Sequence, residues 1–175
     1  MLLKLSDNGL IEIVPYKGCK LTPLGLEACK DIVRIHRLWE VFLVRYLKFT
    51  WREAHEDAHV LEHATTARIA ERLNEFLNYP EICPHGSSIP QKNHIAYENH
   101  TLIALNSLNV GIEAIVSKVM EDGELLDYLW DKGLKIGAKV SIIAKDSYEG
   151  PIVLSQDGQE IIISYKAATQ IYVER

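Results

Sequence analysis

Between His55 and His63 the run HEDAHVLEH sets three of the chain's seven histidines beside Glu56, Asp57 and Glu62. Imidazole and carboxylate groups at that density suit a divalent transition metal. The last five residues also spell H-x-x-E-H, a pattern used by a class of zinc peptidases. On an α-helix each residue advances about 100°, so with His55 at zero, His59 falls at about 40°, Glu62 at about −20° and His63 at about 80°. These four share one face, with Asp57 on the far side. One helix earlier His36 and Glu40, spaced i and i+4, project from a common side. Antiparallel packing of the two helices across a short loop brings the faces together. That gives six nitrogen and oxygen donors without sulfur, a set suited to Mn, Fe, Co or Zn better than Cu(I). The donors exceed the needs of one tetrahedral ion, so two metal sites are expected.

A lone helical histidine is ordinarily a satisfied core residue, and exposed Glu/His pairs are ordinarily solvated. What favours metal here is the concentration of three histidines and a glutamate on one sector facing His-x-x-x-Glu. The peptidase alternative has His59 and His63 holding zinc while Glu62 activates water. It also needs a third protein ligand and an open cleft, and His55 one turn earlier crowds that face.

Around these helices the sequence sets the frame. The segment MLLKLSDNG reads as the end of a helix stopped at Asn8-Gly9, followed by a hairpin of LIEIV and CKLT. Thr22-Pro23 caps a long helix reaching Leu47, and Thr50 with Glu53 starts another predicted to run to about Leu77. Tyr79-Pro80 ends it, and CPHGSSIPQKN has connector composition. The stretch LIALNSLNVGIEAIVSKV fits strand or helix by pattern, and GELLDYLWDKGL reads as a short helix. KVSIIAK, GPIVLS, QEIIISY and QIYVER are short strands of a small antiparallel barrel.

The 175 residues, with 47% hydrophobic and 25% charged composition, describe a folded globular chain. No apolar run is long enough to span a bilayer and no signal peptide is evident, so no membrane partner and a cytoplasmic location are expected. Three cysteines without a C-x-x-C pair argue against a disulfide framework or thiolate zinc knuckle. The net charge of −5 excludes nucleic-acid binding through the whole surface. Cys83 next to His85 lacks the acid and oxyanion donors of a nucleophile and reads as a loop anchor. Trp39, Trp51 and Trp130 read as core or interface aromatics, and His94 and His100 have no partner spacing.

The run LTPLGLEACKDIVRIHRLWEVFLVRYL, then W-x-E-A-H-E-D-A-x-x-L-E-H, then CPHGSSIP resembles the diphtheria toxin repressor family of metal-dependent transcriptional regulators across essentially the whole chain. The resemblance implies an α+β protein: a winged helix-turn-helix remnant (1–22), a helical dimerisation and metal-binding domain (23–95), and a linker with an SH3-like, FeoA-like small β-barrel (96–175). It implies a non-enzymatic homodimer that senses Mn(II) or Fe(II) and represses metal-homeostasis genes at operator DNA. By motif, His36, Glu40 and His55 match the family's ancillary site, and His59, Glu62 and His63 its primary site. Arg37 matches a position that contacts an anion near the ancillary metal. In some members the SH3-like domain adds a ligand, and Glu121 or Asp122 stands in that neighbourhood.

At the position of His59 iron-type members carry Cys and manganese-type members Glu, so this site is neither. The absence of sulfur favours manganese over iron, with Zn(II), Co(II) or Ni(II) able to substitute. Aligned by motif, Met1 falls within the recognition helix, so about forty family residues, including the base-reading part of that helix, are expected to be missing. Lys4, Lys17 and Lys20 can touch phosphates without reading sequence. Weak or absent operator binding by this chain is therefore expected, and a metal-binding dimer without DNA activity is the alternative function.

Overall fold

The computed structural model describes residues 2–91 and 102–175, so His94, His100 and the expected 95/96 boundary lie outside the described residues. A short helix α1 (Leu2–Asp7) precedes a hairpin of β1 (Ile11–Val14) and β2 (Gly18–Leu21), with Ile11 opposite Leu21. Thr22 then does two jobs. Its Oγ1 accepts from the Gly25 amide as the N-cap of α2 (Pro23–Tyr46), and it donates to the Gly9 carbonyl at 2.6 Å, tying the end of α1 to the long helix.

The second long helix is two. Thr50 and Glu53 form the expected capping box at the start of α3 (Trp51–Ala64), but the chain breaks at Thr65–Thr66 before α4 (Ala67–Phe76). Apolar spacing continues across the break, which is why periodicity misses it. The hydroxyls explain it: Thr65 accepts from Trp39 Nε1 at 2.7 Å and donates to the Leu61 carbonyl, while Thr66 caps the Ile69 amide. Leu38 and Val41 of α2 pack with Leu73 and Leu77, and Leu43 packs with Ala54 and Ala58 of α3. The buried alanines let the two helix backbones approach closely.

The C-terminal unit is one antiparallel six-stranded sheet in the order β3-β8-β4-β5-β6-β7: β3 (Ile103–Ala104), β4 (Glu113–Val119), β5 (Lys139–Lys145), β6 (Ile152–Gln156), β7 (Gln159–Ile163) and β8 (Ile171–Glu174). Register shifts at Val116/Lys118 and Ile142/Ala144 bend β4 and β5 so that the sheet curls around its core. That core includes Leu105, Val116, Leu126, Leu129, Ile142, Leu154, Ile163 and Val173, with the buried Gln156 amide satisfied by the Lys135 N–H and the Gly133 carbonyl. Asp157 and Gly158, both at positive φ, make the two-residue β6–β7 turn. The predicted strand through Tyr165 stops at Ile163, because Ser164 caps a short helix α6 (Tyr165–Ala168). The predicted short helix is present as α5 (Gly123–Asp131). It is fixed to α3 by an Arg52–Asp127 ion pair of 2.8 Å. No described helix is long and apolar enough to cross a membrane.

Candidate metal centre

Helices α2 and α3 bring the expected faces together. His36 Nδ1 lies 2.8 Å from Glu62 Oε2, and His36 Nε2 lies 2.9 Å from Glu40 Oε1 and 3.1 Å from His55 Nδ1. His55 Nδ1 is also 2.9 Å from Glu40 Oε1. Further along α3, His59 Nδ1 and His63 Nε2 stand 3.1 and 3.3 Å from Glu62 Oε1.

Sequence reasoning missed two donors. The loop from Ile82 to Ile89 turns His85 Nδ1 to 3.3 Å from the same Glu40 Oε1, with Cys83 Sγ 4.0 Å from that nitrogen. The loop reaches this position through the barrel. The Val119 amide of β4 donates to the His85 carbonyl at 3.0 Å, and Gly86, at φ +84°, lies so close that an added Cβ would meet the Ser117 carbonyl oxygen at 1.9 Å. The glycine of C-P-H-G is therefore required for close approach as well as for backbone conformation. The available signal was Cys-x-His beside that glycine, but nothing local says that β4 lies against it.

The chain just after β4 contributes Glu121, which accepts from Ser87 Oγ at 3.1 Å and faces Arg37 at 3.8 Å. Arg37, expected beside a bound anion, also donates to the Ser88 carbonyl. Asp122 turns to a different task, capping α5 by accepting from the Leu125 amide.

Three donor groupings result, each with ligand atoms within 4.8 Å of one another: Glu40, Cys83, His85 and Glu121; His36, His59 and Glu62; and His36, Glu40 and His55. The first two share no residue. The third borrows one ligand from each, so an ion there competes with both. His63 belongs to none of these groupings among the described residues, although it touches Glu62.

Electrostatics favour a cation. Burial alone would raise the Glu40 carboxyl, but hydrogen bonds from His36, His55 and His85 overturn that and hold it far below the usual carboxylate range. Burial works against charge on His36, yet the Glu40 and Glu62 carboxylates raise its pKa overall. Burial, reinforced by the negative charge of Glu40, pushes the Cys83 thiol up to about 12, the opposite of an activated nucleophile. A metal at that sulfur must displace its proton.

The residues fit a divalent ion on a specific observation: Glu40 Oε2, wholly buried, has no hydrogen-bond partner among the described residues. An unpaired buried carboxylate oxygen costs about 1–3 kcal/mol or more. Donors about 2.1 Å from a common ion sit about 3.0–3.4 Å apart, close to the spacings around Glu40.

A helical unit with a buried imidazole–carboxylate pocket, joined to an SH3-like barrel that lends it a carboxylate, defines a class of metal-binding helical proteins. Residues 22–91 match the model of the iron dependent repressor metal binding and dimerisation domain, and residues 103–175 match the FeoA domain. The zinc-bound ScaR structure is 39% identical, superposes with a TM-score of 0.78, and is matched over 100% of this chain and 87% of its own. A manganese-dependent transcriptional repressor in complex with manganese superposes at 0.85 with 29% identity, over 99% of this chain and 81% of that one. The iron-dependent repressor IdeR of Mycobacterium leprae is 25% identical over 185 residues, covering 98% of this chain and 80% of that protein. The chain belongs to the diphtheria toxin repressor family of iron- and manganese-dependent regulators.

Proposed function

We propose that this protein is a homodimeric transcriptional regulator that binds divalent transition metal at two clusters and controls metal-homeostasis genes through operator DNA. The single observation that carries metal binding is the buried Glu40 Oε2, without a hydrogen-bond partner among the described residues, on a carboxylate that groups with Cys83, His85 and Glu121. The first ion is held by Glu40, Cys83, His85 and Glu121, and the second by His36, His59 and Glu62 with His63 beside them. His55 braces Glu40 between the two.

Mn(II) or Fe(II) is the physiological ion, and the relatives named for manganese, iron and zinc support that range. The case for manganese from a sulfur-free donor set does not extend to the first cluster, which contains the Cys83 thiol. Carboxylate and imidazole donors accept either metal.

Three units carry these roles: residues 1–22 toward DNA, 23–95 for metal and dimer contacts, and 96–175 as the barrel. The dimer surface is the exposed aromatic seam of α2 and α4, where Tyr46 stacks on Phe42 at 5.6 Å and meets Phe76 at 5.0 Å. A peptidase role is disfavoured because the Glu62 carboxylate is buried and engaged by His36 instead of facing an open cleft.

Co(II) titration of the metal-free chain tests the reading. Two ions per chain are expected, one of them with a thiolate-to-cobalt charge-transfer band. Absence of saturable binding contradicts it.

A further inference from the structure

His85 is wholly buried, and the two nitrogens of its ring have unequal surroundings. Nδ1 faces Glu40 Oε1 and Cys83 Sγ. The His55 ring, 6.1 Å from that of His85, lies on the same side, since its own Nδ1 reaches the same Glu40 oxygen. Nε2 has no hydrogen-bond partner among the described residues. Its other ring neighbour among the described residues is Trp51, whose ring stands perpendicular to the imidazole at 87° with centroids 5.9 Å apart.

Trp51 is the first residue of α3, fixed by the Thr50 capping box and itself buried. Its ring also meets that of Trp130 at the end of α5, 5.9 Å away at 68°. A perpendicular ring pair lets an N–H of one ring point at the π-face of the other.

We infer that Trp51 is the positioning residue for His85: its indole face accepts the Nε2–H, so that Nδ1 is the nitrogen presented to a metal ion. A ligating imidazole needs its second nitrogen protonated and held, a task usually done by a carboxylate or carbonyl oxygen. Among the described residues no such oxygen is paired with Nε2, and an aromatic face takes the place. Because Trp51 also touches Trp130, the barrel's α5 backs the ring that orients the ligand. This inference rests on the metal-binding reading above and adds to it a residue without any donor atom for metal.

The test uses the full chain loaded with Cd(II), with the exposed Cys19 and Cys29 replaced by Ser in every sample including the wild-type reference protein, so that thiolate charge-transfer absorption reports Cys83 and identifies the first cluster. Loaded wild-type protein should show His85 as the Nε2–H tautomer in imidazole nitrogen–proton correlation spectra. Its Hε2 resonance should be shifted upfield by the indole ring current, with a cross-relaxation peak to Trp51. Trp51→Phe, which keeps a π-face, should bind Cd(II) within about threefold of wild type. Trp51→Leu should bind about 10- to 100-fold more weakly, as when outer partners of metal-bound histidines are removed.

Equal affinities for the Leu variant and wild type overturn the inference, as does a Phe variant as weak as the Leu variant. Should the Leu variant not fold, an Hε2 resonance in wild type without ring-current shift or contact to Trp51 overturns it alone. Wild-type protein without the Cys83–Cd(II) band refutes the metal-binding reading itself, a result distinguishable because no variant is involved.

Discussion

The two clusters that share no residue differ in construction. The Glu40 cluster draws its donors from α2, the Ile82–Ile89 loop and the segment after β4, and both Glu40 and His85 are 0% exposed. The His59 cluster takes His36 from α2 and the rest from one turn of α3, and the side chains of His59 and His63 are 72% and 67% exposed. The first cluster is held in place by the tertiary fold, with Glu40, Cys83 and His85 desolvated in advance and Glu121 partly exposed. The second is a helix face whose outer ligands are free to rearrange. Buried, supported donors lose less freedom on binding, so the Glu40 cluster should bind its ion more tightly and the His59 cluster should be the more responsive to metal concentration.

The largest expected effect comes from Glu40→Gln. Removing the charge that His36, His55 and His85 share should abolish the thiolate–metal band, and it should lower metal-free stability by about 3–5 kcal/mol, as for other broken buried ion pairs. Chemical denaturation and Co(II) absorption check both parts. A variant as stable as wild type that keeps the band erases the contrast.

Next comes Gly86→Ala, which puts a methyl group into the Ser117 carbonyl. It should weaken the Glu40 cluster at least about tenfold through loss of ligand support, while leaving the His59 cluster intact. Equal weakening of both would mean that the loop does not distinguish them.

Smaller and more selective effects are expected from paired variants. Cys83→Ser should remove the charge-transfer band but keep a second ion, whereas His59→Ala should keep the band and lose that second ion. Isothermal titration with Mn(II) counts the ions in each case.

How much of this was legible in the sequence follows the same division. Helical periodicity converts spacing directly into direction, so His36, Glu40, His55, His59 and Glu62 could be placed on facing surfaces before any coordinates. Strand alternation likewise revealed β5 through β8. Cys83 and His85 were not placed, because a loop has no period and theirs is positioned by a β4 strand about thirty residues away in sequence, with Gly86 as the point of contact. Glu121 and Asp122 could not be told apart by neighbourhood alone. The structure gives them different neighbours: Asp122 caps α5 at the Leu125 amide, and Glu121 groups with Glu40, Cys83 and His85. The break between α3 and α4 was hidden because Thr65 and Thr66 interrupt hydrogen bonding without interrupting the apolar pattern.

The smallest effect is one of pH, and its sign differs between metal-free and loaded protein. The depressed Glu40 contributes stability above its ordinary value of 4.5 and loses it as pH falls. The raised His36 contributes stability below its ordinary 6.5 and loses it as pH climbs through the higher folded value. Metal-free protein should therefore be most stable between those limits and soften toward pH 8. Loaded protein should gain stability over the same upper range, because protons no longer compete for the ligands. Thermal melts from pH 5 to 8, with and without Mn(II), should show opposite slopes above pH 6.5.

The most direct measurement is anomalous diffraction from a crystal soaked in Co(II). Two peaks per chain are expected, one among Glu40, Cys83, His85 and Glu121 and one among His36, His59 and Glu62, the first at higher occupancy when cobalt is limiting. No peak beside Glu40, or a single ion seated only among the exposed histidines of α3, contradicts the account.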